Sequence, residues 1–410
     1  MSIPTPWETT GVRTTWALEN QFTLDLVAAS SRVAVETVGT SEALGRAMRM
    51  WRIGSPTAPP SPTVGTPNNM LITAGIHGNE YMSREGALEL IRDLAFTTDT
   101  VLVAYLEAHP IYVMPTCNPD RIEDPQRNTP NGTNINRNHI AQNQGESKAI
   151  WEAIRRVKPI VALDMHEYFT TRLYDMAPMR PAHPQISQSL IDLGDELYDV
   201  IFASLGAEGW LVGPYGFGAS LTLPTMLNQT VALATGAFGW TAETCTEEPE
   251  VDRLAIHRSS CDTILRWHAA NAVRIKGTVE LARVTKMREG KEANASYRLM
   301  DSPAVLTPQP SAYRLTAVQY AAVAQQRSTF GLTVVADGDG WLVPMAQQAQ
   351  PIIPLVFDKQ SPYRVVTGDR VHDHGPLVPS AWGPLRVGGS LNEVVQVSRI
   401  VGGEERLVEP

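Results

Sequence analysis

The stretch NMLITAGIHGNEYMSREGALELIRDLAF, residues 69–96, decides the fold. Met70 to Ile76 is a short apolar run of the buried-strand kind. After it, YMSREGALELIRDLAF puts Ala87, Leu90, Ile91 and Leu94 on one helical face. Between strand and helix stand His77 and Glu80, three residues apart, so that a buried-looking strand runs straight into two polar, titratable side chains.

Downstream the pattern repeats. IYVMPTCN, PIVALDM and AFGWTAET are further buried-strand runs, and helices fit 145–157, 185–205 and 251–273. Upstream, ENQFTLDLVAASS reads as a helix and RVAVETVG and RAMRMWRIG as strands. This alternation predicts an α/β domain with a mixed, largely parallel sheet and helices on both faces. SPTAPPSPTVGTP, with prolines at 56, 59, 60, 62 and 67, reads as an exposed loop.

Around residue 275 the character changes. VRIKGTVELARV is strand-like, and TAVQYAAVAQQRSTFG reads as one short helix with Gly331 at its C-cap. LTVVADGDGWLVP reads as a hairpin turning at Asp337 to Gly340, and EVVQVSRIVGGEERLV as a terminal hairpin. The expected division is therefore 1–275 as the α/β domain and 276–410 as a smaller, β-rich α+β appendage.

Lys and Arg total 34 against 43 Asp and Glu, a net charge of −9 without long like-charge blocks. Such a surface offers no footprint for nucleic acid or an anionic membrane. No window reaches the roughly 18 apolar residues of a membrane span, and the N-terminus has no signal-peptide pattern. Cys117, Cys245 and Cys261 form no CxxC pair and read as reduced thiols. Together these features read as a cytosolic protein, with release in a larger particle as the alternative.

His77 and Glu80 can both reach one ion, because zinc takes imidazole nitrogen and carboxylate oxygen. A catalytic zinc commonly keeps three protein ligands and one open position. The third ligand is expected from another strand end, and His166 in VALDMHEYF supplies it, 89 residues after His77. Glu243, at the end of the apolar run FGWTAET, is costly to bury without a function and suits a general base acting on water.

GIHGNE, NPDRIEDPQRNTPNGTNINRN, DMHE and TAET, in that order, resemble the carboxypeptidase A-like zinc metallopeptidases. The likeness runs from VETVGTSEALGRAMRMWRIG to about residue 275. It implies Zn2+ held by His77, Glu80 and His166, with Glu243 as general base and Arg127 steadying the oxyanion. It further implies Asn136 and Arg137 gripping the terminal carboxylate of a peptide substrate, and Asn134 behind a zinc histidine where the family usually has Asp.

The likeness departs from the pattern in places. Arg121 stands where the family generally has Gly, and no tyrosine lies some twenty residues before Glu243, Tyr215 being the nearest. VHDHG (His372, Asp373, His374) and DGDG read as loop and turn rather than metal sites.

The resemblance implies a metallocarboxypeptidase. The part after residue 312 also resembles the appendage of certain bacterial carboxypeptidase-like proteins, some encoded among phage tail genes. That points to cell-wall peptides as one substrate class and to the virion as an alternative location, with a homo-oligomer or larger assembly through the appendage compatible with it. The rival readings are an N-acyl amino acid amidohydrolase of the aspartoacylase or desuccinylase type, and a structural component that keeps the fold.

Overall fold

The structure is a computed structural model and describes residues 3–55, 68–169, 173–216, 221–292, 295–299 and 305–372. The proline-rich stretch 56–67, the terminal hairpin and residues 373 and 374 lie outside the described residues.

The chain enters through helix α1 (Trp16–Ala29), whose first turn is closed by Thr15 accepting from the Leu18 amide. Strands β1 (Val33–Thr40) and β2 (Ala47–Ile53) follow as an antiparallel pair. Strand β3 (Met70–Ala74) leads into α2 (Tyr81–Phe96), α3 (Thr100–Ala108) and β4 (Ile111–Met114). After α4 (Gly145–Val157) come β5 (Val161–Tyr168), α5 (Gln188–Ala207), α6 (Leu227–Thr235), β6 (Phe238–Cys245) and α7 (Glu250–Glu289).

These strands form one sheet in the order β1-β2-β4-β3-β5-β6. The pairs from β4 through β3 and β5 to β6 are parallel, and the pairs of β2 with β1 and β4 are antiparallel. Every residue of β3, β4, β5 and β6 is buried. Helices cover both sheet faces, which is why these strands read as unbroken apolar runs rather than alternating ones. The expected mixed, largely parallel α/β sheet is the architecture found.

Two local expectations are corrected. VRIKGTVELARV is not a strand: α7 runs unbroken through it for 40 residues, about 60 Å at the usual helical rise. The apolar pair Val273 and Ile275 mimics strand alternation, yet Val273 is 88% exposed while Ile275, Val279 and Ala282 are buried at helical spacing. Residue 275 therefore lies inside a helix. The helix expected over TAVQYAAVAQQRSTFG breaks at Val323 into Ala317–Ala322 and Ala324–Thr329, although Gly331 does take the left-handed conformation (φ 63°).

Beyond α7 a second sheet forms from β7 (Ala312–Thr316), β8 (Val335–Asp337), β9 (Gly340–Pro344) and β10 (Asp369–Val371), in the order β8-β9-β7-β10 and antiparallel throughout. Asp337 pairs with Gly340, so the hairpin turns where the sequence places it. The two pieces of the broken helix, α8 (Ala317–Ala322) and α9 (Ala324–Thr329), lie between β7 and β8 in the chain. Among the described residues no helix is long and apolar enough to cross a membrane.

Candidate metal centre

The site assembles at the carboxyl ends of the parallel strands, where open α/β sheets bind ligands. The chain leaves β3 at Ala74 and makes a turn in which the Glu80 amide donates to the His77 carbonyl (3.1 Å). Glu80 then opens α2, but its carboxylate caps none of that helix's amides. Glu167, from β5, does so instead: its Oε2 accepts from the Met82 amide at 3.0 Å. The Glu80 carboxylate is thereby left to face the histidines.

His166 lies on β5 with two strand residues still to come, so it sits inside the strand rather than beyond its end. Its Nδ1 is 2.7 Å from Glu80 Oε2, His77 Nδ1 is 2.7 Å from Glu80 Oε1, and the two Nδ1 atoms are 3.2 Å apart. Among the described residues these three form the one cluster of potential metal ligands, all buried.

The outer nitrogens explain why both Nδ1 atoms point inward. His166 Nε2–H donates to Asp164 Oδ2 (2.7 Å), and His77 Nε2–H donates to Asn134 Oδ1 (3.1 Å). Asp164 is itself held by the Thr73 hydroxyl (2.7 Å). Such partners fix the tautomer and the ring orientation. With its proton on Nε2, His77 turns a lone pair toward Glu80, a contact that repels unless a proton or cation is shared.

The two inward nitrogens match the roughly 3.3 Å edge of a tetrahedral zinc site with arms of about 2.0–2.1 Å. Two imidazoles and one carboxylate are also the donor types that ion takes, so the residues fit a zinc ion.

Electrostatics agree with a site built around positive charge. Burial works against ionising Glu80, but His77 and His166 outweigh it and hold the carboxyl well below its ordinary range. Burial likewise opposes a charged His166, yet Asp164 and Glu80 raise its pKa well above the usual value. Burial lowers His77 and so favours its neutral ring. Glu243 lies in register with His166 across β5 and β6, and burial pushes its pKa up to about 8, a shift a nearby dication would oppose.

The arginines lie at the mouth. Arg127 Nη1 is 2.6 Å from Glu80 Oε1, with 44% of its side chain exposed. Arg137 is half-buried, donates to the Asn136 carbonyl (2.6 Å) and has no carboxylate partner among the described residues. Burial pushes its pKa down, Arg127 adds repulsion, and Tyr215, Glu243 and Tyr363 lie close enough to favour its charge. The Asn136 side chain faces into the fold: Oδ1 accepts from the Leu227 amide that opens α6 (2.8 Å), and Nδ2 lies 3.4 Å from His166 Nε2.

Sequence reasoning missed three participants. Asp164 was legible, since residues i and i+2 of a strand share a face and Asp164 precedes His166 by two. Glu167, which caps α2 and pairs with Arg253 (2.7 Å), carries no local signal for that role. His139, buried without a partner for either ring nitrogen among the described residues, has its pKa pushed down to about 3 by burial.

Sheet order, crossovers and a buried His–Glu–His cluster near the strand ends define an α/β protein with, among the described residues, one candidate metal centre. A family model described as zinc carboxypeptidase matches residues 20–160, about a third of the chain. A probable carboxypeptidase 2 of Trichophyton verrucosum (strain HKI 0517) is 33% identical over 103 residues, 25% of this chain and 20% of the relative. Carboxypeptidase 2 of Trichophyton rubrum is 31% identical over 103 residues, 25% of this chain and 19% of the relative. The match thus spans about a fifth of these relatives' length.

Among solved structures, a metallo-carboxypeptidase from Burkholderia cenocepacia superposes with TM-score 0.53 at 17% identity, covering 64% of this chain and 70% of that one. A Pseudomonas aeruginosa metallo-carboxypeptidase solved with (2-guanidinoethylmercapto)succinic acid gives 0.52 at 17% identity, with the same coverage. At such identities the likeness is one of fold.

Proposed function

We propose that the protein is a zinc-dependent metallocarboxypeptidase that removes the C-terminal residue of a peptide. The observation that carries this reading is Arg137, half-buried and without a carboxylate partner among the described residues, within the field of Glu243 beside the His–Glu–His cluster. A guanidinium kept partly from water and left without a counter-ion suits a substrate carboxylate, which it can grip with two hydrogen bonds.

His77, Glu80 and His166 would hold the zinc, which supplies a Lewis acid that polarises a carbonyl and makes water acidic near neutral pH. Glu243 takes the proton from the attacking water and hands it to the leaving amine as the C–N bond breaks, a shuttle worth about a hundredfold to ten-thousandfold. Arg127 meets the negative charge growing on the carbonyl oxygen and cannot lose its own charge in doing so. Arg137 fixes which peptide bond lies over the cluster. Asn136 supports it by tying that loop to α6, and Asn134 steadies His77.

On this reading residues 1–275 carry the chemistry and 276–410 form the appendage, with α7 crossing the division. The test is a panel of N-blocked dipeptides with free carboxylates, their C-terminal amides, N-acyl amino acids and cell-wall-type peptides. Each is assayed before and after chelation and zinc restoration. Turnover of free-carboxylate peptides that returns with zinc is expected. Turnover confined to N-acyl amino acids, or none with any peptide, overturns the reading.

A further inference from the structure

The loop that carries Asn134, Asn136 and Arg137 has little structure of its own. Between β4 and α4 its regular pieces are two single turns, Pro119–Arg121 and Ile135–Arg137. A loop needs outside support to present a side chain accurately, and buried carbonyls must find donors. Here the donors come from a segment some 185 residues further along the chain.

Gln326, on α9, is buried and spreads its two amide hydrogens over the carbonyls of Ala141 (2.7 Å) and Ile140 (3.3 Å). One residue further on, Gln142 is held in the left-handed conformation (φ 50°), an unusual state for a residue with a side chain. Its Oε1 accepts from the Thr329 hydroxyl (2.9 Å) and from Gln325 Nε2 (3.3 Å), while its own Nε2 donates to the His139 carbonyl (3.1 Å). Phe330 anchors the end of α9 edge-on against Trp151 of α4, ring centres 4.8 Å apart.

A second contact reaches the same loop from another side. Asn136 is bonded to the start of α6, and the turn Gln350–Ile352 packs on that helix. Tyr363, further along the chain, stands near enough to Arg137 to favour its charge.

We propose that the C-terminal part is a positioning device for the substrate loop: Gln326 and Thr329 hold residues 138–142 and thereby set where Arg137 presents its guanidinium to a substrate carboxylate. This rests on the carboxypeptidase reading. Gln326 and Thr329 are positioning residues that touch neither substrate nor metal. A displacement of about 1 Å at a gripping group can cost on the order of a hundredfold, so two hydrogen-bonded contacts at the loop's base have leverage on catalysis.

The experiment uses the full chain loaded with zinc and compares wild type with Gln326→Leu, Thr329→Val and Thr329→Ser. Two measurements are made: hydrogen exchange of residues 134–142, and kcat and KM for a blocked dipeptide with a free carboxylate and for its amide. Gln326→Leu and Thr329→Val are expected to speed exchange of the loop and to raise KM for the free-carboxylate peptide about tenfold, leaving kcat within about twofold. KM for the amide and the zinc content should stay as in wild type, and Thr329→Ser should restore the wild-type values.

Unchanged loop exchange in both loss variants overturns the proposal, as does faster exchange with no rise in KM or with equal losses on both substrates. A wild-type protein that cleaves no peptide would sink the functional reading instead, while the exchange data still decide whether the clamp exists.

Discussion

His166 and Glu243 stand in register on neighbouring parallel strands, β5 and β6. Residues so paired project to the same side of a sheet, so a candidate ligand and a candidate proton carrier are locked side by side by backbone hydrogen bonds. Both are buried, at 1% and 7% exposure, so the backbone pairing fixes the separation of their Cα atoms. The chemistry proposed for this protein depends on that fixed spacing.

The first prediction concerns metal content. Purified protein should carry one zinc per chain, and His166→Ala should lose it, since removal of one of three ligands leaves only His77 and Glu80. Inductively coupled plasma measurement after dialysis checks this; a variant that still holds a full equivalent would move the site elsewhere.

The partners behind the histidines should tune affinity in opposite directions. Asp164→Asn removes the charge behind His166 and should weaken zinc binding about 10–100-fold, the usual cost of losing such a support. Asn134→Asp adds a charge behind His77 and should tighten it. Competition with a chromogenic chelator reads both, and equal affinities across the set would show that these contacts do not act on the ion.

Glu243→Gln keeps the shape of the side chain and removes its basicity. Turnover should fall about a hundredfold to ten-thousandfold while zinc content and KM stay near wild type. Retained turnover would assign the proton transfer to another group.

Gly239 lies where β6 passes under α6. A methyl group there would fall 2.1 Å from the Asn228 carbonyl oxygen, a backbone atom that cannot swing aside. Gly239→Ala should therefore cost roughly 1–3 kcal/mol, as overpacking does, with a matching drop in the urea midpoint. Because Leu227 of the same helix is bonded to Asn136, metal affinity should be spared more than substrate binding.

His268 gives an acid limit to stability. Its Nδ1 accepts from the Tyr105 hydroxyl (2.6 Å), its Nε2–H donates to Asn68 Oδ1 (3.0 Å), and burial, helped by His109, pushes its pKa down to about 4. In the unfolded chain the ring titrates near 6.5. Between pH 6.5 and 4 the unfolded state thus binds a proton that the folded state refuses. The stabilisation is complete above pH 6.5 and is lost as pH falls through that window, on the order of 3 kcal/mol. His268→Gln preserves a donor and an acceptor and should flatten the decline in melting temperature over that range; an unaltered slope would assign the acid loss to other groups.

Four of the candidate site residues could be read along the chain because each interrupts a local pattern. His77 and Glu80 interrupt a strand-to-helix passage, and His166 and Glu243 are polar residues in apolar runs. What misled was local mimicry: Val273 and Ile275 imitate a strand inside α7, and only burial at Ile275, Val279 and Ala282 shows the helical period. The break at Val323 was equally hidden, since nothing in AVQYAAVAQQ forbids a single helix.

Residue types and periodicity by themselves determined the α/β alternation and singled out four polar side chains, His77, Glu80, His166 and Glu243, in or beside apolar strand runs, because hydrophobic spacing and donor chemistry are local properties. Tertiary structure alone decided that His166 lies in register with Glu243, that Asp164 and Asn134 stand behind the two imidazoles, and that Gln326 grips a loop some 185 residues away. The physical reason is that such contacts follow from strand register and crossover path. Those are set by the packing of the whole core, which no short window of sequence contains.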